Sequence, residues 1–240
     1  MSVYSNVDIL RAIKDETIVC VPFNERHVSE ASLDFTLGHY YYEQEAEDNA
    51  KVYNPFDRDD VSRYFKGPLK AKTHRQWCDD NGYKLFDNIP EDHPIIVLRP
   101  GERILAHTHE FVGIRAHGGA AEVKSRSSWG RNGVAVCFDA GWVDSGYINR
   151  ITLEIYNLNM HESVVLPVGE RVGQLIFHGT ISKVEGDYSS GREGMSGKYQ
   201  TSSDLETIIK EWNPAQMLPR AYKDSRELPT EIKGLPEGTL

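Results

Sequence analysis

The chain has 240 residues, 39% of them hydrophobic, with a formal net charge of -9 and a pI near 5.5. That size supports one sizeable core with room for an insertion and a tail, and the acidic balance argues against sequence-independent binding to DNA or RNA, whose phosphates are met by clustered Lys and Arg. No apolar run is long enough to span a membrane, no basic-then-apolar leader follows Met1, and Cys20, Cys78 and Cys137 are solitary, so a cytoplasmic protein in a reducing compartment is expected.

Ser5 to Lys14 is predicted to be a short helix, with Ser5 and Asp8 forming a capping box and Val7, Leu10 and Ile13 marking one face. Short strands separated by Gly, Pro and Asn turns follow from Ile18 to Gly38 and again from Ile95 to Ile181, which predicts an all-β core. The similar segments LRPGER (Leu98 to Arg103) and LPVGER (Leu166 to Arg171) read as hairpin turns rather than a repeat. His107 and His109 alternate along one strand; they could form a metal pair, but the simpler expectation is two histidines on an exposed face.

From about residue 44 to 90 the sequence is charged and irregular, yet Tyr53, Phe56, Tyr64, Phe65 and Trp77 run through it. Such aromatic content predicts an insertion that packs on the core or on a neighbouring subunit. Residues 1–201 are therefore expected to form one β domain carrying this insertion. In residues 202–240, Ser203 and Glu206 suggest a capping box, and Leu205, Ile208, Ile209 and Trp212 share a helical face. After Asn213-Pro214 an extended arm is expected.

Chemistry concentrates between Arg126 and Asn157, RSSWGRNGVAVCFDAGWVDSGYINRITLEIYN. A turn of helix from Arg126 to Asn132 places Ser127 and Arg131 on one face, with Arg126 and Ser128 beside them, a means of holding phosphate oxygens. Taken singly, Ser127 could be only a cap and Arg131 a partner of Asp139 or Asp144. Further on, Ile151, Leu153 and Ile155 alternate with Thr152, Glu154 and Tyr156, the period of a half-buried strand. A carboxylate in the middle of so β-prone a strand is out of character for packing, and facing a pocket its pKa should rise toward general-base range.

The segment resembles the dCTP deaminase branch of the dUTPase-like superfamily. The resemblance extends to SLDFTLG (Ser32 to Gly38), to VLRPGERILAHTHEFV (Val97 to Val112) as a Pro-Gly hairpin leading to a long strand, and to VGERVGQLIF (Val168 to Phe177), which contains Gln174. Tyr188 and Lys198-Tyr199 are similar to the C-terminal segment that closes over the triphosphate. Roughly residues 1–43 and 91–201 are covered.

The resemblance implies a mainly β fold, a distorted jelly-roll or β-barrel of the dUTPase-like type with a few short helices, assembled as a homotrimer with active sites between subunits. It implies dCTP as substrate, Glu154 as the proton-transferring residue, Ser127 and Arg131 orienting water and stabilising charge, and the Ala140 carbonyl helping to fix nucleophile or amine. In the turn Asp144-Ser-Gly-Tyr147, Asp144 would meet the deoxyribose 3′-hydroxyl and Tyr147 would exclude ribose; taken alone, Asp144 is an ordinary turn residue. Glu154 separates the deaminase branch from simple dUTPases, which usually carry an aliphatic residue ten positions after that Asp. Arg126, Ser128, Gln174, Tyr188, Lys198 and Gln200 would contact the nucleotide.

Magnesium is expected on the triphosphate rather than on the protein, and zinc is not expected because the zinc deaminases need a Cys-x-x-Cys pair. Several positions depart from the family pattern. Asp139 stands where Thr is usual, Asn149 replaces a Gly, and Ser202 replaces a Gln, with Gln200 two residues earlier. Trp142 replaces an Arg; it reads as core packing before it reads as a stacking platform, and it is similar to members that also hydrolyse the triphosphate to dUMP. In that bifunctional case Asp144 would also activate a water. A dUTPase-type hydrolase is the other enzymatic alternative, and a nucleotide-binding regulator without chemistry is the third.

Overall fold

Alternation between Thr152 and Asn157 produces a strand in which Leu153 and Ile155 are fully buried while Thr152, Glu154 and Tyr156 are half-buried. The same physical sorting, apolar side chains to one face, builds the rest of the structure, a computed structural model that describes residues 2–44, 52–191 and 197–223. Four antiparallel sheets result. The first runs Trp142–Val143, Ala120–Ser125, Arg171–Gly179, Ser32–Thr36, Val28–Ser29, with Ser2–Val3 added to Arg171–Gly179. The second runs Val134–Val136, Thr152–Asn157, Arg103–His107, Tyr40–Gln44, Phe65–Lys70. Two three-stranded sheets, Ile148–Asn149 with Phe111–Ile114 and Ile18–Val21, and Val164–Pro167 with Pro94–Leu98 and Lys72–Thr73, complete the set.

Phe35, Phe177, Leu153, Ile155, Ile104 and Leu98 belong to one continuous core shared by these sheets. None of the sheets closes on itself among the described residues, so the expected barrel is instead four open sheets around that core. The Pro-Gly segments explain why. The strand before LRPGER pairs with Val164–Pro167, while the strand after it pairs with Thr152–Asn157. LPVGER likewise leads from one sheet to another. Both are corners rather than hairpins, closed by Glu102 N–H to Arg99 O and Glu170 N–H to Pro167 O, with Gly101 and Gly169 in the left-handed region.

The N-terminal helix spans Asn6–Lys14 and has the Ser5–Asp8 capping box its sequence predicts. The insertion is not loose: Phe65–Lys70 extends the second sheet beside Tyr40–Gln44, and Lys72–Thr73 joins Pro94–Leu98. Its rings pack together, with Tyr53 stacked on Tyr64 at 4.4 Å and Phe65 edge-on to Tyr64 at 5.0 Å.

At the other end the helix Leu205–Glu211 is capped by Asp204, not Ser203, because the Asp204 carboxylate accepts from Thr207 N–H at 2.9 Å. Beyond it, as far as residue 223, Pro214–Met217 forms a 3-10 turn and Met217 is 3% exposed, while the rest of the expected arm, residues 224–240, lies outside the described residues.

His107 also departs from expectation. It is 1% exposed, with Nδ1 bonded to Thr108 O and Nε2 accepting from Tyr40 N–H, and its ring lies 4.8 Å from that of Trp212. The C-terminal segment covers the face that alternation alone suggested was exposed. Asn149 is an extended residue of Ile148–Asn149, and its amide donates to Gln216 at 3.3 Å. Among the described residues no helix is long and apolar enough to cross a membrane.

Candidate active site

The strand Thr152–Asn157 places Glu154 between two different neighbours. On one side it pairs with Leu105 of Arg103–His107; on the other, Val134–Val136 pairs with it only as far as Ile155. There the partner strand breaks. Cys137 turns left-handed at φ 47° while its N–H still donates to Glu154 O at 2.9 Å. The chain from Phe138 to Gly141 then swings to the Ala120–Ser125 strand, where Val123 N–H donates to Gly141 O at 2.7 Å. This divergence opens a cavity of about 360 Å³ over Glu154, whose walls include Ala140, Trp142, Asp144, Tyr147, Thr152 and Tyr188.

The turn Asp144 to Tyr147 forms the far wall. Tyr147 N–H donates to Asp144 O at 3.1 Å, and Gly146 has φ 84°, the conformation a type II turn requires at its third residue. Gly146 is also needed for contact: a Cβ there would meet Asp187 Cβ at 2.7 Å and Tyr188 N at 2.9 Å. Tyr188 thereby reaches Tyr147 edge-to-face at 4.9 Å. Gln200 fastens the same turn from behind. Its Nε2 donates to Gly146 O at 3.1 Å and its Oε1 accepts Ile148 N–H at 2.7 Å. It is buried and occupied with backbone, so its place is beneath the turn rather than in the cavity.

Burial raises the Glu154 carboxyl above its ordinary range. The neighbouring Cys137 thiol, whose Sγ donates to Thr152 O at 3.7 Å, and the Arg103 guanidinium oppose that rise, and the Asp139 charge reinforces it. Cys137 itself is pushed well up by burial, with the Glu154 charge adding to it, so it stands beside the carboxyl as a neutral thiol. Trp142 is 56% exposed at the rim, stacked on His178 at 6.2 Å, and is not core.

The sequence-predicted residues divide into two groups. Glu154, Ala140, Trp142, Asp144, Tyr147 and Tyr188 line the cavity, and Asp139 acts on Glu154 through its charge. Ser127, Ser128 and Arg131 do not line it. They sit on the helix Ser127–Arg131, exposed, at the Val134 end of a strand whose opposite end approaches Glu154. Trp129 Nε1 anchors that helix by donating to Arg171 O at 3.0 Å. Arg126 pairs with buried Asp34 at 3.1 Å, as does Arg171 at 3.3 Å, and Gln174 accepts from Ser32 at 3.4 Å. Lys198 lies on the C-terminal segment, where its carbonyl accepts from Arg220 at 2.8 Å.

Tyr199, expected in the closing segment, also lines the cavity, and sequence reasoning missed Arg103, Leu105, Met217 and Pro219, which line it too. Arg103 is its sole cation among the described lining residues. One arm donates to the Tyr156 hydroxyl at 3.3 Å, the guanidinium lies 5.6 Å from that ring's centre, and Nε is buried without a partner. The pairing of Arg103 with Tyr156 follows from strand register, which no local pattern displays.

Among the described residues no group of three or more His, Cys, Asp or Glu is arranged to hold a metal ion. Architecture and cavity thus define a mainly β protein with a deeply set acid at the base of a pocket of ligand size. Residues 3–180 match the dCTP deaminase-like family, and the chain belongs to it. It is 33% identical over 208 residues to the "dCTP deaminase, dUMP-forming" of Methanopyrus kandleri, covering 83% of this chain and 91% of the relative. It is also 33% identical over 204 residues to a dCTP deaminase of Haloarcula marismortui, covering 84% and 91%. The solved 2'-deoxycytidine 5'-triphosphate deaminase of Agrobacterium tumefaciens aligns at TM-score 0.48 and 20% identity, over 73% of this chain and 47% of that one.

Proposed function

We propose that the protein hydrolyses dCTP to dUTP and ammonia, with Glu154 moving the protons. The observation that carries this reading is a half-buried carboxyl of raised pKa at the base of a cavity whose rim holds Ala140, Asp144 and Tyr147, in a chain of the dCTP deaminase-like family. Glu154 takes a proton from water as the oxygen adds to C4. Glu154 passes that proton to N3, then takes the remaining proton from the C4 hydroxyl and hands it to the amine, so that the tetrahedral carbon collapses to a carbonyl as ammonia leaves and the carboxylate is regenerated. A base with a raised pKa suits both directions of transfer, since it must accept and then release within one cycle. The Ala140 carbonyl orients nucleophile or amine, Asp144 meets the sugar 3′-hydroxyl, and Tyr147 limits the space beside the neighbouring 2′ position.

Ser127 and Arg131 act on this reading from the next copy of the chain, with Arg126, Ser128 and Gln174 toward the phosphates. Their separation from Glu154 within one chain supports a homotrimer in which each active site draws on two subunits. Lys198 and Tyr188 close over the triphosphate. Magnesium travels on the phosphate oxygens: the groove next to the cavity is lined by Asp144, Glu185 and Asp187, which would repel a bare triphosphate and suit one carrying a divalent cation. Bound there, the cation supplies neutralisation of phosphate charge. The proton transfers at the base rest on Glu154 and use no protein-held zinc.

A second reading continues to dUMP and pyrophosphate, with Asp144 also activating a water for the α-phosphorus. The relatives in Methanopyrus kandleri and Methanosphaera stadtmanae are named dUMP-forming, and this favours testing it. Purified protein incubated with dCTP and magnesium is expected to release ammonia, and Glu154→Gln to abolish that release. Pyrophosphate from dUTP without any ammonia from dCTP would overturn the deaminase reading, and dUMP arising from dCTP would establish the second.

A further inference from the structure

We infer that Met217, delivered by the C-terminal segment and backed by Pro219, sets specificity at the C5 edge of the substrate pyrimidine. The inference rests on the reading above for one point, that C4 of the ring lies against Glu154.

Two walls flank Glu154, and they differ chemically. On the side of the broken strand stands Ala140, where the diverging backbone presents peptide groups. On the other side Leu105 is the direct cross-strand partner of Glu154, and Met217 belongs with Leu105 to one buried cluster that includes Tyr42, Val61 and Phe65. Met217 and Pro219 both line the cavity. A cytosine ring is equally two-sided: N3, O2 and the amine make one edge polar, whereas C5 and C6 make the other apolar. With C4 at Glu154, the apolar edge belongs against Leu105 and Met217, because the polar edge would lose its hydrogen bonds there. The group next to C4 on that edge is C5.

The segment that brings Met217 is firmly held. Trp212 lies 4.8 Å from the His107 ring, and the Arg150 guanidinium stands 4.5 Å from the Trp212 ring centre and 4.9 Å from that of Phe111. Further along, Arg220 N–H donates to the Tyr199 hydroxyl at 3.2 Å and its guanidinium to Lys198 O at 2.8 Å. The segment itself lies beyond residue 180, where the family match ends. The insertion supplies Val61 and Phe65 to the same buried cluster as Met217.

The test is kcat/KM by ammonia release for dCTP and 5-methyl-dCTP, using full-length wild type, Met217→Ala, Met217→Leu and Trp212→Ala. One methylene in an apolar pocket discriminates by roughly 10-fold or more. Wild type should therefore favour dCTP by about that factor, Met217→Ala should narrow the ratio about 10-fold through gain on the methylated substrate, and Met217→Leu should retain it. Trp212→Ala should follow Met217→Ala; if it fails to fold, the two Met217 variants decide alone. A ratio unchanged in Met217→Ala, or absent in wild type, overturns the inference while leaving deamination intact. No ammonia from dCTP in wild type overturns both.

Discussion

Cys137 and Glu154 are joined through the backbone at the point where their strands part: the Cys137 N–H donates to the Glu154 carbonyl at 2.9 Å while Cys137 itself holds φ 47°. The last rung of the ladder thus sits immediately before the divergence that makes the cavity. Cys137 is 3% exposed, so its side chain must fit both a left-handed backbone and a full core. A β-branched residue is strongly disfavoured at positive φ. Cys137→Val is accordingly expected to melt lower than Cys137→Ala and to lose more activity, although Val is closer to Cys in size and character. Thermal unfolding of the two variants checks this, and equal stability would remove the strained rung from the account.

Glu154 should govern the acidic limb of the pH–rate profile, displaced above the ordinary carboxylate range by burial. Because Arg103 lowers and Asp139 raises its pKa, Arg103→Met should move that limb to higher pH and Asp139→Asn to lower pH. Asp139 is exposed, so its effect should shrink in high salt whereas that of Arg103 should persist. Limbs that move together, or not at all, would detach these charges from Glu154.

The same carboxyl has a stability consequence. With a raised folded-state pKa, its favourable contribution is present below the unfolded pKa and is lost as pH rises through the folded value. Glu154→Gln should therefore abolish ammonia release and yet raise the melting temperature relative to wild type near pH 8, with the gain fading near pH 4. An inactive variant that is also less stable at pH 8 would contradict a desolvated carboxylate there.

His107 carries the opposite sign. Burial lowers its pKa to about 4, so its contribution is present above the unfolded value and lost as pH falls through the folded one. Between about pH 6.5 and pH 4, stability should decline by about 3 kcal/mol on this account. Denaturant titrations of wild type and His107→Gln should show the decline flattened in the variant. A parallel pH dependence in both would assign the loss to other groups.

The proposed sharing of each active site between two subunits makes a quantitative prediction. Arg131→Ala and Glu154→Gln should each be inactive as homogeneous preparations. Mixed in equal amounts and allowed to exchange subunits, they should regain about a quarter of wild-type activity, the share of sites receiving an intact residue from each neighbour. Mixtures that stay inactive would place both residues in one subunit's site.

The place of Glu154 was legible because a strand's period is short. Polar residues at 152, 154 and 156 between aliphatic ones declare a face, and the structure gives that face to the cavity. The Ser127–Arg131 helix and the Asp144–Tyr147 turn were legible for the same reason, since capping, turn chemistry and side-chain spacing act over a few residues. His107 misled because alternation reports which residues share a face and nothing about what covers it. Trp212, more than a hundred positions later, covers this one.

By itself, the sequence determined local conformation and the family to which the chain belongs, because both are written in contiguous residues. Only the tertiary structure decided that the Pro-Gly turns are corners between sheets, that Arg103 and Leu105 stand beside Glu154, and that Met217 crosses from the C-terminal segment to the same cavity. Those relationships depend on strand register and on which apolar surfaces exclude water together. Both are set by the collapse of the whole chain rather than by any segment of it.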